Sequence, residues 1–236
     1  MKNINIGGTI ISNDDKWIYD WFGYESTCPA DVANMLESAN GDDITFVVNS
    51  GGGDVFAGNE INYRISQYRG HTQADIVGIA ASIATIICCG ADKVRMAAGA
   101  QYMIHNVSGY AQGDYRDMDK SSEILINANR TISNTYRLKT GMSEKELLDL
   151  MDKETWMDAT RAVELGFVDE IIGENGKLSV PKMSIYNAGY ANIIPDEVKE
   201  KLRNQIKNPD STNKTEPDFL IHKNKIKIQR MRGRLL

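Results

Sequence analysis

The stretch Asp43-Ile44-Thr45-Phe46-Val47-Val48-Asn49-Ser50-Gly51-Gly52-Gly53-Asp54-Val55-Phe56-Ala57-Gly58 decides the fold. Residues 43–48 are short, apolar and β-branched, the pattern of a strand buried on both faces. Gly51-Gly52-Gly53 reads as a turn, and from Gly58 to Tyr68 the spacing becomes helical, with Ile61, Ile65 and Tyr68 on one face. The unit then repeats. Ala74 to Ile79 is a second strand, and Ser82 opens an apolar helix carrying Ile83, Ala84, Ile86, Ile87 and Cys88. Two successive strand–turn–helix units imply an α/β domain with a largely parallel sheet.

Outward from this centre the alternation continues. Ile4 to Ile11 reads as a strand with a bend at Gly7-Gly8. Pro29 to Leu36 reads as a helix start capped near Thr27 or Cys28. Lys93 to Met96 and Gln101 to Ile104 are short strands. Residues 114–139 form the longest helical candidate, with Ile124, Leu125, Ala128, Ile132 and Tyr136 at helical intervals. Ser143 and Glu146 fit a capping box for the next helix. Thr160 to Leu165 is a short helix stopped by Gly166, and Phe167 to Ile172 is a closing strand. The expected organisation is a domain over residues 1–173 and a polar, basic, flexible extension over residues 174–236. Within that extension Asp196 to Ile206 has the pattern of one helix, and Asn208 to Asn213 that of a linker.

Composition narrows the class. The 236 residues are 42% hydrophobic and 25% charged, ordinary for a globular protein. No apolar run reaches the roughly 18 residues a spanning helix needs, and the N-terminus lacks an export signal's apolar core, so a cytosolic protein without membrane contact is expected. Cys28, Cys88 and Cys89 match neither a disulfide framework nor a zinc pattern and read as buried thiols. The net charge of −5 conceals a split: residues 201–236 carry ten Lys/Arg against three Asp/Glu, a net of +7, leaving −12 for residues 1–200. A basic tail on an acidic body suits contact with nucleic acid or an acidic protein, or simple solvation.

The chemistry-bearing residues follow the same frame. Ser82 stands at a strand-to-helix junction, where Ala80, Ala81 and Ala84 permit a sharp turn and a helix N-terminus favours a forming oxyanion. A serine hydroxyl becomes a nucleophile only with a base in reach and donors for the oxyanion. The alternative is a serine that merely caps its helix. His105, 23 positions on, is the one histidine of three that ends an apolar strand; a structural histidine is the alternative, and Asn106 beside it is placed to fix the ring. The glycine run fails the dinucleotide fingerprint, with Phe56 at the third glycine, and fails the P-loop, with Asn59-Glu60 after Gly58. Its amides can instead face an oxyanion. Lys93 offers a Ser–Lys dyad or, more ordinarily, a solvated lysine.

In their order these parts resemble the ClpP family of serine peptidases. The phrases from Ser50 to Gly58 and Glu154-Thr155-Trp156-Met157 are most similar to its phage branch, the head-maturation (prohead) proteases, over roughly residues 4–173. The resemblance implies a ClpP/crotonase-type fold of repeated β–α units, a handle-like helix at 114–139, and assembly into homo-oligomeric rings. It implies Ser82 as nucleophile, His105 as base, Glu154 as the orienting acid with Asp152 as fallback, and the amides of Gly53 and Ile83 as oxyanion donors. Gly51 stands where the family has proline, and Glu154 where many members have aspartate. No metal or cofactor is implied. The expected activity is ATP-independent cleavage of phage capsid or scaffold protein, in the host cytoplasm or the procapsid interior. The alternatives are a host-type subunit working with an unfoldase, a crotonase-like acyl-CoA enzyme, and an inactive assembly scaffold.

Overall fold

The computed structural model describes residues 2–173 and 194–207. Chain order is β1 (Lys2–Ile10), a 3-10 turn (Asn13–Asp15), α1 (Lys16–Phe22), β2 (Ser26–Thr27), α2 (Pro29–Ala39), β3 (Ile44–Gly53), α3 (Val55–Ser66), β4 (Thr72–Ala81) and α4 (Ile83–Cys88). There follow β5 (Lys93–Ala97), β6 (Gln101–Ile104), α5 (Tyr115–Thr140), α6 (Glu144–Asp152), β7 (Thr155–Met157), α7 (Ala159–Glu164), β8 (Glu170–Ile172) and α8 (Asp196–Lys207). The strands form one sheet in the order β2-β1-β3-β4-β5-β8, with β6 branching from the far end of β4 and β7 beyond it. Every pairing is parallel except β6 with β7.

Ile4 and Ile6, Ile44, Phe46 and Val48, Ile76, and Val94 and Met96 carry the core through four adjacent strands. Burying each such side chain contributes about 1.5–3 kcal/mol, so this layer is the main stabilising element of the domain. The helices α4, α5, α6 and α7 close over it with Ile83, Ile86, Ile132, Tyr136, Leu147, Met151 and Ala162.

Local chemistry shifts several expected boundaries. The glycine run is not a free turn: Gly51 to Gly53 extend β3, whose pairing with β4 slips between Val48 and Ser50. The turn falls at Asp54, whose Oδ1 accepts the Ala57 N–H at 2.7 Å and starts α3 at Val55 rather than Gly58. The bend expected at Gly7-Gly8 is a register shift within β1, with Gly8 at φ +64°. The closing strand is confined to Glu170–Ile172; Phe167 instead packs its ring 5.4 Å from both Tyr102 and Tyr136. Cys28 is the cap residue of α2, and the Ser143–Glu146 capping box opens α6 as expected.

The sequence reading did not anticipate α1, β2 or β7. The first two form a segment with its own small core of Ile11, Ile18, Tyr19 and Cys28, which Ile194 and Leu202 complete. The expected helix within the extension is thereby seated: Lys199 and Arg203 of α8 both reach the Asp15 carboxylate, at 2.9 and 2.5 Å. The expectations for residues 174–193 and 208–236 lie outside the described residues.

Candidate active site

Strands β4 and β6, paired in parallel, bring Ser82 and His105 together at their ends. β4 stops at Ala81, and Ser82 takes φ 54° and ψ −130° before α4 begins. This backbone is left-handed and rare for any residue with a side chain. It is held on both sides: the Ser82 N–H donates to the Met103 carbonyl at 2.9 Å, and the Ser82 carbonyl accepts from the Thr85 N–H at 3.0 Å. Ser82 occupies the cap position of α4, but its hydroxyl makes no capping bond. The Oγ instead lies 2.8 Å from His105 Nε2, so the alternative of a simple capping serine does not hold.

His105 follows β6 directly, and the Val107 N–H donates to Asn129 Oδ1 on α5 at 2.7 Å, pinning the chain just beyond it. Burial pushes the imidazole below its ordinary value of 6.5, and the Glu154 carboxylate pulls part of that shift back. The ring is therefore neutral near pH 7, the form that can accept a proton from a hydroxyl.

Glu154 immediately precedes β7, which pairs with the strand that ends before His105. In the antiparallel β6–β7 pair, Tyr102 faces Met157, Met103 faces Trp156 and Ile104 faces Thr155. His105 and Glu154 each lie one residue beyond that ladder, close enough for the Glu154 charge to act on the imidazole. Glu154 sits at φ 48°, its N–H donating to the Met151 carbonyl at 3.0 Å, and its Oε1 accepts from Trp156 Nε1 at 3.3 Å. Among the described residues no hydrogen bond joins Glu154 to His105. The fallback acid, Asp152, accepts from Asn106 Nδ2 at 2.7 Å. Asn106 thus engages Asp152 and not the His105 ring, contrary to expectation.

Ile83 follows the serine directly, and of the expected glycine turn it is Gly52 that lies against Ser82, while Gly53 lies against Ile10 of β1. A Cβ on Gly52 (φ +97°) would lie 2.8 Å from the Ser82 Cβ, and one on Gly53 (φ +150°) would lie 2.1 Å from the Ile10 carbonyl oxygen. Only glycine lets this backbone pass so close to the nucleophile and to β1. Lys93 pairs with Glu170 on β8, so the structure does not bring it to Ser82. Two hydroxyls behind the serine went unread. Thr85 Oγ1 donates to the Ser82 carbonyl at 2.5 Å, and it lies 2.6 Å from the Tyr136 hydroxyl. The one available signal was Thr85 itself, a hydroxyl inside an otherwise apolar helix.

The Clp protease family model matches residues 30–175, well over half of the chain. The chain belongs to the Clp protease family. It is similar to the ATP-dependent Clp protease proteolytic subunits of Streptococcus pneumoniae strains Hungary19A-6 and TIGR4. Each is 31% identical over 137 residues, covering 56% of this chain and 70% of the relative. A ClpP1 mutant structure from Listeria monocytogenes superposes with a TM-score of 0.60 at 24% identity, over 74% of this chain and 92% of that one. That likeness confirms the α/β fold with its mostly parallel sheet. The match to the Clp family spans Ser82, His105 and Glu154, whereas α1 precedes it and α8 follows it. No helix among the described residues is long and apolar enough to cross a membrane.

Proposed function

We propose that this protein is a serine endopeptidase in which Ser82 is the nucleophile and His105 the base. The observation that carries this reading is the 2.8 Å contact between Ser82 Oγ and His105 Nε2, made by a serine in left-handed backbone beside a neutral imidazole. Ser82 Oγ attacks the peptide carbonyl as His105 Nε2 takes its proton. The carbonyl oxygen becomes an oxyanion facing the Gly53 and Ile83 amides. The tetrahedral intermediate collapses, the C–N bond breaks, and His105 returns the proton to the departing amine. Water, deprotonated by His105, then releases the acyl group from Ser82. Glu154 favours the tautomer with its proton on Nδ1, leaving Nε2 as the acceptor.

The substrate class is protein. The resemblance of Ser50–Gly58 and of Glu154-Thr155-Trp156-Met157 to the phage branch supports a narrower role: ATP-independent cleavage of capsid or scaffold protein during head maturation, by ring-shaped homo-oligomers. The names of the pneumococcal relatives favour a second reading, a proteolytic subunit served by an ATPase. An acyl-CoA enzyme of crotonase type has no use for the Ser82–His105 contact. Incubation with an unfolded model protein such as β-casein, without nucleotide, separates the readings. The proposal expects cleavage that Ser82→Ala abolishes. Cleavage only with an added ATPase supports the second reading, and cleavage that survives Ser82→Ala overturns both.

A further inference from the structure

Thr85 and Tyr136 stand on different helices, α4 and α5, and both are fully buried, at 0% and 1% exposure. Their hydroxyls lie 2.6 Å apart, and Thr85 Oγ1 donates to the Ser82 carbonyl at 2.5 Å. A threonine hydroxyl has one hydrogen. Since Thr85 uses it on Ser82, the Tyr136 hydroxyl must donate to Thr85. A directed chain therefore runs from Tyr136 O–H to Thr85 O–H to the Ser82 carbonyl.

The Ser82 carbonyl and the Ile83 N–H belong to the same peptide unit. That unit is planar and trans, so the two groups point in opposite directions and turn together. Whatever fixes the carbonyl aims the amide. Ile83 opens α4, so its N–H has no acceptor within the helix and is available to a ligand. Hydrogen bonds along such a chain also polarise one another, strengthening the amide at the far end as a donor. We infer that Thr85 and Tyr136 are positioning residues that aim and polarise the Ile83 amide toward the oxyanion of the acyl-transfer reaction. The inference rests on the serine peptidase reading and adds two residues to it.

A hydroxyl pair that merely filled the core would change stability and leave the chemistry of folded molecules alone. This pair should act on the transition state. Tyr136→Phe keeps the ring against Phe167, and Thr85→Val keeps the side-chain shape. At equal folded fraction, each lowers kcat about tenfold with KM within about twofold, a fraction of what loss of a whole oxyanion donor costs. The affinity of a peptide boronate, which mimics the tetrahedral state, falls by the same factor as kcat/KM. Thr85→Ser, which retains the hydroxyl, restores both, and the Thr85→Val/Tyr136→Phe double variant is no slower than Thr85→Val. Unchanged kcat and boronate affinity in Thr85→Val and Tyr136→Phe would overturn the inference. A crystal structure of Thr85→Val adds a readout free of activity: a turned Ser82–Ile83 peptide supports the inference, and an unmoved one contradicts it. Failure of the underlying peptidase reading shows separately, as wild-type protein with neither turnover nor boronate binding.

Discussion

The Ser82–His105 contact was legible because position marks each residue, one at a strand-to-helix junction and the other at the end of an apolar strand. The place of Glu154, the acid proposed to orient His105, was less so. Glu154 carries one more methylene than the aspartate many relatives have, and its reach depends on Trp156, whose N–H holds Oε1. Trp156 is 39% exposed on a three-residue strand. The charge of Glu154 raises the pKa of His105, whereas burial lowers it. Activity needs neutral His105, so the acidic limb of the kcat/KM–pH profile should lie below 6.5. Glu154→Gln removes the raising charge; the limb moves to still lower pH while kcat falls. Trp156→Phe moves both in the same direction but less far, with kcat down by about tenfold, the worth of one hydrogen bond to a charged group. A pH–rate series on the three proteins checks this. An acidic limb that stays put in Glu154→Gln would remove Glu154 from the site.

At the scale of elements, apolar periodicity found the helices but not what each buries. Ile124 and Tyr136 share one apolar pattern on α5, yet Ile124 is 57% exposed while Tyr136 is core. Burial begins only at Ile132, where the C-terminal half of α5 meets the body. The α1 segment was missed because it is seven residues long, and its apolar residues Ile18 and Tyr19 face α8 rather than the main core. That docking pairs elements some 180 residues apart, information no local window holds. It turns on Asp15, 12% exposed at its side chain, which receives Lys199 and Arg203. Asp15→Asn removes the carboxylate both cations use. Hydrogen exchange in α8 should rise by about tenfold or more, the effect of losing a partly buried ion pair, with β3 and β4 unchanged. Equal protection of α8 in both proteins would show that it is held without the Asp15 ion pairs.

For the whole molecule, the two strand–turn–helix units gave the parallel sheet, and the order of its strands follows from pairing that no periodicity encodes. β6 branches from β4 and pairs antiparallel with β7, and this exception to the parallel rule brings the start of β7, just after Glu154, to the end of β6, just before His105. The proposed site is thus a product of topology: the serine from the end of β4, the histidine from the end of β6, the proposed acid from before β7, and the proposed glycine amide from the end of β3. The measurement that tests this account most directly is labelling with a fluorophosphonate probe, with the modified residue located by mass spectrometry. The account predicts a single adduct at Ser82 that His105→Ala abolishes. Absence of label on the assembled wild-type protein, or an adduct at another serine, would contradict it.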